Sequence, residues 1–319
     1  MPRAVLIGGS GFLGKAAAAL LAGQGHELVA LDIAPPAVPD LAFVQQDIRE
    51  RLSFTFAPDD VVIHLAANQY HLKAPRRDRE EFFRRTNTIG TGNVLARMEE
   101  CGARKLIYFS TDMVYGYPRA LPVPADHPRS PFGPYGRSKM EAEDLCAVYR
   151  QRGFAITIFR PRMIIGPGRL GILDKLFALI ERNLPVPMIG SGKNCYQMVA
   201  VEDCARAILL AMEKGCPSGE YNLGSKNPPT VKELLRQLIL AAGSRSLLIP
   251  TWGPAVKTVL GVTGFLGLEL MYKEQYMIAD RNYLLDISAT EQALGWTPSL
   301  GDGDMIFAAF LSRKRSAAK

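Results

Sequence analysis

The chain is poor in the residues that bind metals and form cross-links. Four histidines are scattered through 319 residues. No grouping has the spacing of a metal site, so no metal is expected. The five cysteines (Cys101, Cys146, Cys195, Cys204 and Cys216) are odd in number, and none forms a CxxC. Free thiols in a reducing compartment, and so a cytoplasmic location, are expected. No run of 18 or more apolar residues occurs, which argues against a membrane span. Met1-Pro2-Arg3-Ala4-Val5-Leu6-Ile7 enters a strand pattern at once, without a signal-peptide core. Net charge is +7 and the pI about 9.2, but no nucleic-acid motif accompanies it. The basic runs at 76–85 and 313–319 read as a solvated helix face and a frayed end, and no nucleic-acid partner is expected.

What is present is a large core. Hydrophobic residues make up 48% of the chain, ample for one large domain or two smaller ones. Short apolar runs alternate with helical patterns in the first half. Strands are predicted at 4–8, 27–32, 42–45, 61–66, 105–110 and 155–160. Helices are predicted at 12–23, 80–102 and 135–151. This alternation predicts a parallel sheet covered on both faces. Beyond Pro161 glycine and proline are frequent, and amphipathic helices are predicted at 170–182, 202–214 and 231–242. The expected fold is α/β: a Rossmann-like, doubly wound parallel sheet with a smaller mixed α/β C-terminal lobe. Residues 1–160 form the nucleotide-binding part. Residues 161–319 mainly form a substrate lobe, with some segments returning to the sheet.

Gly8-Gly9-Ser10-Gly11-Phe12-Leu13-Gly14 follows the first strand and opens the first helix. Glycines there let the backbone turn tightly and approach a pyrophosphate, which the helix N-terminus attracts. Asp32 ends the second strand, 24 residues after Gly8. A carboxylate there accepts the ribose hydroxyls of NAD and repels the 2'-phosphate of NADP. Ile33-Ala34-Pro35-Pro36 offers no arginine to reverse that preference, so NAD is the expected cofactor. Gly261-Val262-Thr263-Gly264-Phe265-Leu266-Gly267 has the same glycine spacing. Too little chain follows it for a nucleotide-binding half, and a loosely packed helix or lid is expected there. The apolar stretch 256–271 is read as a contact for an apolar substrate or a partner.

Tyr135-Gly136-Arg137-Ser138-Lys139 places a phenol and an ammonium four residues apart. On a helix they share one face. The ammonium would stabilise a phenolate, bringing a tyrosine that ionises near pH 10 toward use as a base. Tyr135 follows Thr111 by 24 residues.

With His64-Leu65-Ala66-Ala67, Asn87 to Asn93, Ser110 to Gly116, Arg160 to Gly168, Val201-Glu202-Asp203 and Leu294 to Pro298, these motifs run through nearly the whole chain. In this order they resemble the extended short-chain dehydrogenase/reductases of the NAD-dependent epimerase/dehydratase family. The resemblance implies roles. Gly8, Gly11, Phe12, Leu13 and Asp32 would hold NAD, with Asp47 and Ile48 at the adenine. Leu65, Ala66, Ala67, Ser110 and Pro161 would line the cofactor cleft. Thr111 would hydrogen-bond the reacting oxygen, and Tyr135 would be the acid/base. Lys139 would bind the nicotinamide ribose and lower the pKa of Tyr135. Asn87 would serve the cofactor or the fold. A homodimer through the helices near 80–102 and 135–151 is also implied.

Departures from the family pattern narrow the chemistry. Sugar 4,6-dehydratases carry an acidic pair after the threonine. Here Asp112 is followed by Met113, and a thioether does no acid/base work. Met163 and Tyr196 stand where nucleotide-sugar members carry an asparagine and a diphosphate-gripping arginine. Asp112, Met113, Met163 and Tyr196 are the expected substrate contacts, with Arg162, Arg169, Lys193 or Arg281 as replacement diphosphate ligands. A nucleotide-sugar epimerase-type enzyme using transient hydride transfer is expected. A 3-beta-hydroxysteroid-like dehydrogenase or ketone reductase is the alternative. Dehydration and non-catalytic NAD binding rank below both.

Overall fold

The computed structural model describes all residues except 1, 37, 39–40, 71–73, 76, 170–172, 266–270 and 318–319. In chain order come β1 (Ala4–Ile7), α1 (Phe12–Gly23), β2 (Leu28–Asp32), β3 (Ala42–Gln45) and β4 (Val61–His64). A helical stretch follows as α2 (Arg79–Arg84), a wide π turn (Arg85–Ile89) and α3 (Gly90–Cys101). Then come β5 (Lys105–Phe109), α4 (Pro134–Gln151), β6 (Ala155–Pro161) and β7 (Met163–Ile165). The later elements are α5 (Leu173–Glu181), β8 (Val186–Ile189), β9 (Met198–Ala200), α6 (Val201–Glu213), β10 (Gly219–Leu223) and α7 (Val231–Ala241). Last are β11 (Leu248–Thr251), α8 (Gly253–Phe265), α9 (Lys273–Ile278), α10 (Ser288–Leu294) and α11 (Asp302–Ala317).

Seven strands form one sheet in the order β10-β6-β5-β4-β1-β2-β3, every pair parallel. Unbroken apolar strands such as Ala4-Val5-Leu6-Ile7 are buried throughout, as a parallel sheet covered on both faces requires. Leu21 of α1 and Ile208 of α6 belong to the core on one face. Leu95 of α3 and Ala142 of α4 belong to the core on the other. Strand order reverses between β1 and β4, so a crevice opens beyond their C-terminal ends.

The sheet is completed by late segments: β10 forms its edge beside β6. The remaining chain builds two small parallel ladders, β7 with β9 and β8 with β11. Phe177, Leu234, Leu238 and Phe310 sit in their shared core. Two of the sequence motifs prove to be a joint. Trp296 is fully buried, and its indole Nε1 donates to Asp203 O at 2.8 Å. The Asp203 carboxylate accepts from Ser299 N at 2.9 Å and Ser299 Oγ at 2.7 Å.

The helix predicted at 170–182 is Leu173–Glu181; residues 170–172 lie outside the described residues, as do Arg76 and the last two residues of the basic tail. The 80–102 helix is interrupted by the π turn. There Asn87 Nδ2 reaches Asn68 O at 3.1 Å and Ser138 Oγ at 3.0 Å, while its Oδ1 accepts from Asn68 N at 2.8 Å. Asn87 therefore ties the loop after β4 to α4. Residues 261–265 continue α8, with no strand-to-helix turn; 266–270 lie outside the described residues.

Candidate active site

The crevice begins at the glycine turn. Gly8 has φ +85°, and a Cβ there would sit 2.5 Å from Ala66 N. A Cβ on Gly14 would sit 2.5 Å from Gly8 O. Only glycine lets the turn close against both α1 and the segment after β4. Leu65 N and Ala66 N donate to Ile7 O at 2.8 and 3.0 Å, which holds Leu65, Ala66 and Ala67 along the rim. The α1 N-terminus has no side-chain cap and no acid in its first turn, so its N–H groups and positive dipole end are available to an anion. A dinucleotide's pyrophosphate fits this cradle.

Asp32 lies beside it. Its Oδ2 accepts from Ser10 N at 3.0 Å and its Oδ1 from Ile33 N at 2.7 Å. Asp47 is clasped by Arg49, with Nε and Nη2 at 2.9 and 2.5 Å from Oδ2. That contact holds its carboxyl below the usual range. Ile48 is buried, and a Cβ on Gly90 would lie 2.7 Å from its Cδ1. Phe12 and Leu13 form the first turn of α1.

Thr111 precedes a short helical turn, Asp112–Val114, and its Oγ1 accepts from Met113 N at 3.2 Å. Tyr135 and Lys139 occupy one face of α4, both buried. The Lys139 ammonium donates to Phe109 O at 2.6 Å and lies 4.3 Å from the centre of the Tyr108 ring. Burial lowers its pKa to about 7. The same burial, with Lys139 nearby, drops His64 to about 3, so that imidazole stays neutral; its Nε2 sits 3.0 Å from Thr91 Oγ1. Ser110 is buried and its N donates to Phe159 O at 2.7 Å. Pro161 ends β6.

The expectation that Lys139 pulls the Tyr135 pKa down needs correction for the chain by itself. Burial dominates and pushes the phenol up to about 12. The opposing influences are the Arg169 charge and the Thr111 hydroxyl, while Asp112 adds to the rise. Arg169 sits at the inner wall. Its Nη2 donates to Gln69 Oε1 at 2.5 Å, and its guanidinium lies 5.4 Å from the Phe12 ring centre. It therefore lies at the glycine turn while its charge acts on Tyr135.

The other diphosphate candidates are placed differently. Arg162 is buried and its Nη1 pairs with Asp112 Oδ2. The Tyr196 and Tyr283 rings lie 4.3 and 4.1 Å from its guanidinium carbon. Arg281 lies over the Tyr117 ring at 5.0 Å, and Lys193 is exposed. Asp112, expected to touch substrate, has both oxygens engaged, since Oδ1 also accepts from Thr111 Oγ1 at 3.2 Å. Tyr196, likewise expected there, lies against Arg162. Met113 and Met163 are half-buried.

Sequence reading missed an aromatic wall around Tyr135. The Tyr70 ring is 5.0 Å from Tyr135 and 4.6 Å from Tyr272; Phe83 is 5.7 Å from Tyr135. Burial and then the Glu274 carboxylate push the Tyr70 phenol well above its usual range. Glu274 rests against the start of α4, where a Cβ on Gly133 would fall 1.6 Å from its Oε1. Asn68-Gln69-Tyr70 directly follow the His64 to Ala67 motif, and that adjacency was the available signal.

Comparison with known proteins agrees with this geometry. The profile of the NAD dependent epimerase/dehydratase family matches residues 4–224. The uncharacterized protein y4nG of Sinorhizobium fredii is 32% identical over 311 residues, 95% of this chain and 76% of that protein. Human dTDP-D-glucose 4,6-dehydratase is 30% identical over 204 residues, 62% of this chain and 58% of that protein. The crystal structure of UDP-glucose 4-epimerase from Thermotoga maritima, with UDP-glucose, superposes with TM-score 0.78 at 23% identity, covering 99% of each chain. The family profile spans well over half of the residues, and the crevice fits the cofactor for which the family is named: the chain belongs to the NAD dependent epimerase/dehydratase family and is an NAD-dependent enzyme.

Proposed function

We propose that the protein oxidises a secondary alcohol of a nucleotide sugar reversibly, as an epimerase does, with Thr111, Tyr135 and Lys139 as the catalytic set. The observation carrying this is Tyr135 and Lys139 on one buried face of α4 with the Thr111 hydroxyl at Tyr135, and Met113 where a dehydratase needs an acid. The human dehydratase relative matches over only part of its length, and Met113 separates this chain from its reaction. Whole-fold likeness does not divide the two, since a solved dTDP-glucose 4,6-dehydratase superposes as well as the epimerase, at TM-score 0.78; the distinction rests on Met113.

A dinucleotide held in the crevice would supply the positive ring that takes up the hydride. Tyr135 Oη takes the hydroxyl proton of the substrate, and its ionised form is favoured by Arg169 and Thr111. Thr111 Oγ1 turns from its 3.2 Å contact with Asp112 to donate to the same substrate oxygen. Two Lys139 N–H groups remain beyond the one on Phe109 O and would hold the cofactor ribose. Return of the hydride to the carbonyl carbon, with the proton from Tyr135 to its oxygen, would restore the alcohol, and a ketone flipped beforehand would give the epimer. Gly8, Gly11, Phe12, Leu13 and Asp32 hold the cofactor, with Asp47, Ile48, Leu65, Ala66, Ala67, Ser110 and Pro161 along it. Met113 and Met163 border the substrate.

A second reading has its own support. Arg162 is committed to Asp112, and Tyr196 stands at the position of the diphosphate-gripping arginine. A less polar alcohol, oxidised once, suits that surface. Purified protein distinguishes the two. Retained NAD that is not consumed while a nucleotide sugar is converted supports the epimerase. Stoichiometric NADH release from an apolar alcohol overturns it in favour of the second reading. Dimerisation through α3 and α4 and a cytoplasmic location complete the proposal; sedimentation velocity checks the dimer.

A further inference from the structure

β11 and α8 present an apolar surface that the described residues leave uncovered. Trp252 joins the two elements and is 74% exposed; Leu247 ahead of it is 69% exposed, and Val259 and Val262 after it are 58% and 53% exposed. Val259 and Val262 are three apart and share a helix face. Among the described residues β11 pairs with β8 alone, which leaves one edge of it without a strand partner, a feature that soluble proteins usually cover or charge. Single exposed apolar residues need no explanation, but four within one strand–helix segment point to an interaction surface.

The charge around the group indicates what it meets. Residues 243–268 contain Arg245 and Lys257 and no aspartate or glutamate. Asp280, which approaches from α9, is neutralised by Lys257 Nζ at 2.6 Å. Arg182 and Arg245 are both exposed, and their loops are joined by Arg245 N donating to Asn183 Oδ1 at 2.7 Å. Leu247 O accepts from Val186 N at 2.9 Å, so these arginines adjoin Leu247, at the end of β11 opposite Trp252. An exposed tryptophan beside aliphatics, with exposed arginines adjoining the same segment and the neighbouring acids Asp280 and Glu181 paired to Lys257 and Arg313, is the composition of a surface that lies in a lipid headgroup layer. We propose that this face docks on an anionic lipid surface, Trp252 entering the headgroup boundary and Arg182 and Arg245 meeting lipid phosphates. The chain lies on the bilayer rather than crossing it: among the described residues no helix is long and apolar enough to span.

The two tryptophans make the test direct. Trp296 is fully buried and acts as an internal reference, so a change in emission on lipid binding reports Trp252. Phosphatidylcholine–phosphatidylglycerol vesicles should shift the emission to shorter wavelength and co-sediment the protein. Trp252→Ser should lower partitioning about tenfold with an unchanged thermal midpoint. Arg182→Gln with Arg245→Gln should weaken binding to these vesicles, and added salt should do the same. No shift, equal binding to pure phosphatidylcholine, or full binding by Trp252→Ser overturns the proposal. So does self-association lost in Trp252→Ser without vesicle binding, which would assign the face to a second copy of the chain. None of these readouts depends on the substrate.

Discussion

The two sides of Tyr135 are built differently. On the sheet side, groups are fixed to the backbone: Lys139 to Phe109 O, and Leu65 and Ala66 to Ile7 O. On the lobe side, side chains hold one another: Arg162 with Asp112 between Tyr196 and Tyr283, and Arg169 with Gln69. Positions fixed to the backbone follow from the fold. Positions fixed by side-chain pairs can change without altering the fold. We propose that the sheet side sets the reaction and the lobe side selects the alcohol.

The sharpest break in that division is Tyr135→Phe. Turnover should fall about a thousandfold while NAD affinity, carried by the glycine turn and Asp32, stays near wild type. Steady-state kinetics and NAD titration together check this. Unchanged turnover would remove Tyr135 from the chemistry.

The lobe side is tested by Arg162→Met. Removing one partner of a buried ion pair costs about 3–5 kcal/mol, because Asp112 is left charged between Thr111 and Tyr283. Chemical denaturation should show that loss, and Arg162→Met with Asp112→Asn should recover a large part of it. A loss below about 1 kcal/mol, the range of exposed pairs, would mean that water reaches Asp112.

Lys139 tests the sheet side through pH. Its folded pKa is lowered to about 7 from 10.5. The unfolded chain therefore holds more protons between those values, and the contribution of Lys139 to stability rises with pH across that window. Lys139→Met removes the rise. Without NAD, wild type should gain on the variant by up to about 1.4 kcal/mol per pH unit between 7 and 10. Parallel stability curves would contradict a charge forced into the core.

This division also explains what the sequence discloses. Strands such as Val61–His64 and helices such as Phe12–Gly23 were readable, because burial on two faces and helical periodicity leave local patterns. The Gly8 turn, Asp32 and the Tyr135–Lys139 spacing were readable because each is a short-range requirement. Arg162 and Asp112 stand 50 residues apart, and Glu274 meets Gly133 across a still longer separation. No local pattern announces a side chain placed by packing. Trp296 with Asp203 shows the converse: both were singled out as motif residues, and their purpose is to join α6 to the segment after α10.

The finest test of the comparison is Arg169, the lobe-side cation that acts on the sheet-side tyrosine. Its charge is the first influence opposing the burial that pushes Tyr135 up to about 12. Arg169→Gln removes the charge but keeps a hydrogen-bonding group beside Gln69. The limb of the turnover profile at which Tyr135 loses its proton should move to higher pH by about one unit, or about 1.4 kcal/mol. Arg169→Lys should bring it back, since a charge is needed there rather than a guanidinium fork. A limb that stays in place with a raised KM would instead make Arg169 a ligand for phosphate, because phosphate contact alters binding and leaves the phenol untouched. Tyr135 would then depend on Thr111 and the cofactor alone, and the two sides of the site would be electrostatically separate.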